Sequence, residues 1–277
     1  MEFEHIPRWM MSSSVDKTKM YVNLEQSMNY AKHRPRYTQE LFQTVIDYCR
    51  KTNPNLDIAV DVGCGPGMST IGFGPFFRRV IGIDISMTQI ACAPTNVPRC
   101  EFYVGDSDQL PYIASGIVDL FCSGQSFHLL PQKETFAEAD RLLRPGGTIA
   151  IFGYEMPSTD NPQINAILQN MWLTMIPYWP QESTQLFEKF ANLEMPYPDW
   201  ERNDSLELTM SVNTEKFMGF LRSTWPVVAY TRDHPREDLI GDIAKQIREA
   251  LANTGSGDQN FNIHYNFFII MGHKPRN

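Results

Sequence analysis

The sequence predicts an α/β fold: a seven-stranded, mostly parallel sheet with helices on both faces and a helical cap insertion over one edge. Three observations predict it. From about residue 38 to 154, short apolar runs alternate with amphipathic segments, the rhythm of parallel strands joined by helices. Most of the runs are continuous rather than alternating, as in strands covered on both faces. Beyond residue 155 the rhythm breaks, and 156–200 is rich in Pro, Met, Trp and Tyr.

Taken in order, Thr38 N-caps a helix that carries Leu41, Phe42, Val45, Ile46 and Cys49 on one face. Strands are predicted at 56–62, 79–84, 101–105, 117–122 and 147–154. Pro131 suits the first turn of a helix running to Leu143, which Arg144-Pro145-Gly146-Gly147 stops. Helical pieces follow near 165–175 and 182–192, and then a strand at 205–212. Thr214 caps a short helix. Pro235 opens a longer one bearing Leu239, Ile240, Ile243, Ile247 and Leu251, and Thr254-Gly255-Ser256-Gly257 ends it. A last strand covers 262–271, and the two late strands join the edge of the sheet. The chain reads as a single domain over 1–277, with a core at about 38–155, a cap insertion at about 156–200 and a sheet-completing part at about 205–277. The cap lies over the C-terminal edge of the strands, where open α/β sheets bind ligands.

Composition excludes several partners. With 24 Lys+Arg against 32 Asp+Glu and a net charge of -8, the chain lacks the basic surplus that phosphate binding requires, so no nucleic acid is expected. No apolar run approaches the roughly 18 residues that span a bilayer. The start, Met1-Glu2-Phe3-Glu4-His5, carries no secretory signal pattern. The expectation is a cytoplasmic protein, monomer or homodimer, without a membrane partner. Five cysteines without CxxC spacing, and histidines at 5, 33, 234, 264 and 273 without ligand spacing, predict neither disulfides nor a metal.

The informative segment is Asp61-Val62-Gly63-Cys64-Gly65-Pro66-Gly67, directly after the first strand. A glycine-rich turn there lets backbone approach a ligand. The dinucleotide fingerprint needs a small residue where Met68 stands, which disfavours a nicotinamide enzyme, and no Lys-Ser/Thr follows to make a P-loop. Asp84 ends the second strand 17 residues after Gly67, and Asp106-Ser107 follows the third. Gln109-Leu110-Pro111, Ile117-Val118-Asp119-Leu120 and Arg141-Leu142-Leu143-Arg144-Pro145-Gly146-Gly147 come next in order.

This ordered series, spanning roughly 60–155, resembles the class I S-adenosylmethionine (SAM)-dependent methyltransferases, whose fold is Rossmann-like. Two further segments, Tyr30-Ala31-Lys32-His33-Arg34-Pro35-Arg36-Tyr37 and Ser123-Gly124-Gln125-Ser126-Phe127-His128, are similar to the trans-aconitate-methyltransferase-like (methyltransferase type 11) group of small-molecule enzymes. Leu129 departs from that pattern, which has Trp. The resemblance implies SAM as cofactor. Asp61, Gly63, Cys64, Gly65 and Gly67 form its loop; Asp84, with Ile85 beside it, takes the ribose hydroxyls; Asp106 and Ser107 take the adenine edge. Arg34 can pair with the methionyl carboxylate in a fork, Tyr30 or Tyr37 can face the sulfonium, and Ser123 and Gln125 complete the set.

His128 stands where it can orient a substrate or accept a proton. The aromatic cap, with Trp172, Tyr178, Trp179 and Trp225, suits a partly apolar small molecule. The expected function is in-line methyl transfer to a small acceptor, a carboxylate or other oxygen nucleophile, with Arg34 and Arg36 offering local positive charge. N-methylation of a small amine and cofactor binding without catalysis are the alternatives. A nucleic-acid or protein methyltransferase is disfavoured by the acidic balance and by the absence of an N/D-P-P-Y motif.

Overall fold

In the computed structural model, which describes residues 7–253 and 260–276, five parallel strands form one continuous sheet. In chain order the strands are β1 (Ile58–Val62), β2 (Arg79–Asp84), β3 (Cys100–Val104), β4 (Val118–Gly124) and β5 (Leu143–Tyr154). They continue with β6 (Ser158–Thr159), β7 (Trp200–Asn203), β8 (Glu207–Asn213) and β9 (Asn260–His273). The spatial order is β3-β2-β1-β4-β5-β9, with β9 antiparallel to β5. The first half of β9 pairs with β8 and β6, and its second half with β7 and β5. The reversal of strand order beside β1 opens a crevice at the carboxyl ends of β1 and β4, the place where such sheets take ligands.

The helices are α1 (Leu24–His33), α2 (Gln39–Arg50), α3 (Met68–Phe73), α4 (Met87–Ala91) and α5 (Gln132–Leu142), then α6 (Pro162–Met175), α7 (Ser183–Phe187), α8 (Thr214–Arg222), α9 (Trp225–Asp233) and α10 (Leu239–Ala252). They cover both faces of the sheet. Ala59 of β1 packs with α2, α6, α8 and α10 side chains such as Val45, Trp172, Phe217 and Ile247, whereas Val60 and Val62 point into a second core with Ile81, Ile83, Leu142 and Ile149. That alternation along one strand is why the parallel runs are apolar throughout. Among the described residues, no helix is long and apolar enough to cross a membrane.

Several expectations are corrected. The described sheet has nine strands rather than seven, because β6 and β7 are short and partly exposed and carry no apolar run. β5 begins at Leu143, where Leu143 pairs with Val118, so the expected stop at 144–147 is a register shift within the strand. Pro131 is the residue before α5 rather than in its first turn. The helix expected at 182–192 ends at Phe187, because Lys189 and Phe190 turn left-handed (φ 51° and 55°) to bury Phe190 against Phe127 and Phe268. Asn213, not Thr214, caps α8, its side chain accepting from the Lys216 N–H. Asp238 caps α10, so Pro235 lies outside that helix. α1 and α9 are additional to the predicted helices. The expected stop at 254–257 and the segment 1–5 lie outside the described residues.

Candidate active site

The loops at the carboxyl ends of β1 to β4, with the N-terminal segment and the 156–200 insertion above them, enclose a cavity of about 570 Å³. That volume suits a cofactor-sized ligand with a small partner. Its floor begins at the glycine turn. Gly67 caps α3 at φ 87°, a left-handed angle that a side chain resists, and a Cβ there would run into the Phe102 ring. Gly65 faces the cavity, since a Cβ on it would meet nothing closer than 3.8 Å. Gly63 lines the cavity too, but a Cβ on it would collide with Ser126, so the open backbone is that of Gly65.

Asp61 stands behind this turn rather than in the cavity. It is fully buried, and its Oδ2 accepts from Ser69 Oγ and Thr70 Oγ1, each at 2.6 Å. Burial pushes its carboxyl up to about 6, against the pull of the two hydroxyls. Asp61 thus ties the end of β1 to the first turn of α3. Cys64 is buried as well, with its thiol pushed well above the ordinary range, and it too lies outside the cavity lining. Gly67 and Ser123 share that outer position, Ser123 Oγ bonding Ser126 Oγ at 2.9 Å.

Asp84 lines the cavity. Its Oδ2 accepts from the Gly65 N–H and its Oδ1 from the Ser86 N–H, both at 2.8 Å, which fixes the carboxylate against the glycine turn. Burial raises its pKa, while both backbone N–H groups lower it. A carboxylate has about four acceptor positions, so each oxygen can take one donor more. Ile85 is half exposed at the rim; Asp106 is exposed on the lining, and Ser107 is buried with its Oγ 2.9 Å from Thr135 Oγ1.

The opposite wall carries the charge. Arg34 lies just beyond the C-terminus of α1, its guanidinium 4.5 Å from the centroid of the Tyr30 ring, and both residues line the cavity. Nη1 donates to the Tyr154 hydroxyl at 3.2 Å, and Nε is buried without a partner. Among the described residues Arg34 has no carboxylate beside it. Arg36 is exposed and Tyr37 packs on Phe152, so neither reaches the cavity. Gln125 lines it with a left-handed backbone (φ 59°), but its side-chain amide is engaged on both sides by the Tyr154 backbone.

His128 lies in a short turn after β4, only 5% exposed, and its Nδ1 has no partner. Burial pushes its imidazole down to about 3; Glu182 opposes the fall and Lys17 adds to it. At neutral pH the ring is uncharged and weakly basic. From the insertion come Trp179 and Ser183, and Trp225 opens α9; Trp172 and Tyr178 stay in the packing behind. Trp179 Nε1, Trp225 Nε1 and Ser183 Oγ are buried polar atoms without partners.

The cavity also includes residues that the sequence does not single out: Lys17, Met20 and Tyr21 from the N-terminal segment, and Ser126, Ser183 and Leu186. The N-terminal segment is laced to the insertion. The Ser12 N–H donates to Trp179 O at 2.9 Å, the Gln181 N–H to Ser12 O at 3.1 Å, and Lys17 Nζ pairs with Glu182 at 3.0 Å. Asn23, as the cap of α1, is the one local signal of this arrangement.

Comparison with known proteins agrees with this geometry. A family described as "Methyltransferase domain" matches residues 60–151. A Dictyostelium discoideum protein described as a methyltransferase is 25% identical over 90% of this chain and 93% of its own length. A Saccharomyces cerevisiae protein described as an S-adenosylmethionine-dependent methyltransferase is 26% identical over 79% of this chain and 85% of its own. Among solved structures, an Anaeromyxobacter dehalogenans protein described as a type II methyltransferase superposes with a TM-score of 0.71 at 25% identity, covering 88% of this chain and 99% of that one.

Proposed function

We propose that this SAM-dependent methyltransferase acts on a small molecule whose acceptor is an oxygen nucleophile, a carboxylate above all. The observation that carries this reading is the set of unpartnered buried donors around the cap end of the cavity. Indole N–H groups only donate, and those of Trp179 and Trp225 are joined there by the Ser183 hydroxyl. Such a lining is completed by a ligand rich in acceptor atoms. A protonated amine has donors alone and would leave the two indole N–H groups unsatisfied, at a cost of about 1–3 kcal/mol each.

The residues present fit the cofactor. Arg34, with no carboxylate beside it among the described residues, would take the methionyl carboxylate; the open backbone at Gly65 would pass beside the methionyl chain; Asp84 would take the ribose, and Asp106 and Ser107 the adenine edge. SAM supplies an electrophilic methyl group. The chain's own work is to align the acceptor oxygen with it and to exclude water. His128, neutral and weakly basic, is suited to hydrogen-bond the acceptor and poorly suited to remove a proton from a phenol or an ammonium. A carboxylate arrives already ionised and needs no such base. The trans-aconitate-methyltransferase-like reading belongs to this proposal: Tyr30 and Arg34 from one of its segments, and Gln125 and His128 from the other, line one cavity.

The test uses Trp179→Phe and Trp225→Phe, which keep an aromatic ring and delete the N–H. Each should lower kcat/KM for the acceptor by roughly 5- to 10-fold, the value of one buried hydrogen bond, while leaving the affinity for S-adenosylhomocysteine unchanged. Unchanged kcat/KM in both variants would contradict the donor argument.

A further inference from the structure

Tyr154 ends β5 and is only 6% exposed, outside the cavity lining. Its ring is boxed by Tyr265 at 5.3 Å and Phe267 at 6.2 Å. Its backbone is clamped by one residue: the Tyr154 N–H donates to Gln125 Oε1 at 2.8 Å, and Gln125 Nε2 donates back to Tyr154 O at 3.2 Å. The hydroxyl held in this way accepts from Arg34 Nη1 at 3.2 Å. The guanidinium also makes a longer bond from Nη2 to Ser223 O at 3.5 Å, lies over the faces of Tyr30 and Phe220, and meets the Tyr21 side chain.

We propose that Tyr154 is a positioning residue: through its hydroxyl it holds the Arg34 guanidinium ready for the carboxylate of the cofactor. The inference rests on the reading of Arg34 given above. Arginine carries several rotatable bonds, and ordering it costs side-chain entropy that an anchor set in advance reduces for the binding step. The chemistry of the anchor matters. An Asp or Glu in this place would fix the side chain equally well but would neutralise it. A phenol hydroxyl orients the fork and leaves its charge for the ligand. Gln125 deepens the arrangement, because its left-handed backbone turns its amide onto Tyr154 rather than into the cavity.

The test compares two probes on the full chain, S-adenosylhomocysteine and 5′-methylthioadenosine, which lacks the carboxylate and ammonium. Tyr154→Phe keeps the buried ring. It should weaken S-adenosylhomocysteine by roughly 3- to 10-fold, as expected for one hydrogen bond, and leave 5′-methylthioadenosine within about twofold. Arg34→Gln should show the same selectivity with a larger loss, and the double variant should bind no more weakly than Arg34→Gln alone, because the tyrosine acts through the arginine. Equal weakening of both probes by Tyr154→Phe, or no weakening of either, overturns the inference while a selective Arg34→Gln leaves the reading of Arg34 in place. If Arg34→Gln itself fails to discriminate between the probes, the reading of Arg34 falls and the role of Tyr154 with it.

Discussion

Asp61 and His128 are both buried beside the same crevice, and burial moves their protonation in opposite senses. Asp61 is pushed up to about 6, above the ordinary 3.8, so its contribution to stability is greatest below the ordinary value and is lost as pH rises through 6. Replacing it with Asn should therefore shift relative stability in the variant's favour by at most about 3 kcal/mol between pH 4 and 7, read from urea midpoints across that range. His128 is pushed down to about 3 from 6.5; its contribution is complete above 6.5 and is lost as pH falls below that value. Wild type should lose about 1.4 kcal/mol per pH unit relative to His128→Gln between pH 6 and 4, and the same urea series at acid pH reads it. Turnover on a carboxylate acceptor should stay flat from pH 6 to 8 in both proteins, since neither the acceptor nor His128 titrates there. Asp84, by contrast, is proposed to hold the ribose. Asp84→Ala should weaken S-adenosylhomocysteine by tenfold or more in calorimetry, because it removes acceptors for the ribose and also frees the Gly65 N–H.

At the scale of elements, the β1–α3 turn is the piece on which the proposed cofactor site depends. Gly67→Ala places a Cβ against Phe102 at a left-handed φ, and a loss of about 1–3 kcal/mol in urea unfolding, together with weakened S-adenosylhomocysteine binding, is expected. An unchanged midpoint would contradict the geometry. This turn was legible in the sequence because its glycines, its flanking strand and its acids at 61 and 84 all follow local rules. So were the five parallel strands, as continuous apolar runs. The roof was not. The segment carrying Lys17, Met20 and Tyr21 has no hydrophobic period, and it is held by bonds to Trp179, Gln181, Glu182, Ser86 and Thr88, partners about 65 to 170 residues away. Such contacts leave no local mark. The insertion misled for the converse reason: its pattern continues as helix past Phe187, and only the tertiary burial of Phe190 breaks it. Tyr154 and Gln125 show the same limit, since the end of β5 and the loop after β4 look unrelated in sequence and meet only because the two strands pair.

The molecule as a whole brings together an acidic chain and a locally cationic cavity wall. Its net charge is -8, yet Arg34 lines the site without a carboxylate partner among the described residues, so the cavity offers an anionic ligand a destination. No three His, Cys, Asp or Glu side chains gather among the described residues in a way that could hold a metal ion. Because an ionised carboxylate acceptor needs neither a base nor a Lewis acid, turnover is expected to survive EDTA, and loss of activity that Mg²⁺ restores would contradict this. On the proposed reading the cavity transfers a methyl group from SAM to an oxygen of a small acceptor. The most direct measurement is to incubate the protein with methyl-labelled SAM and a pool of small metabolites and to identify the labelled product by mass. An ester or ether methyl is the result expected; a labelled N-methyl amine would contradict the account.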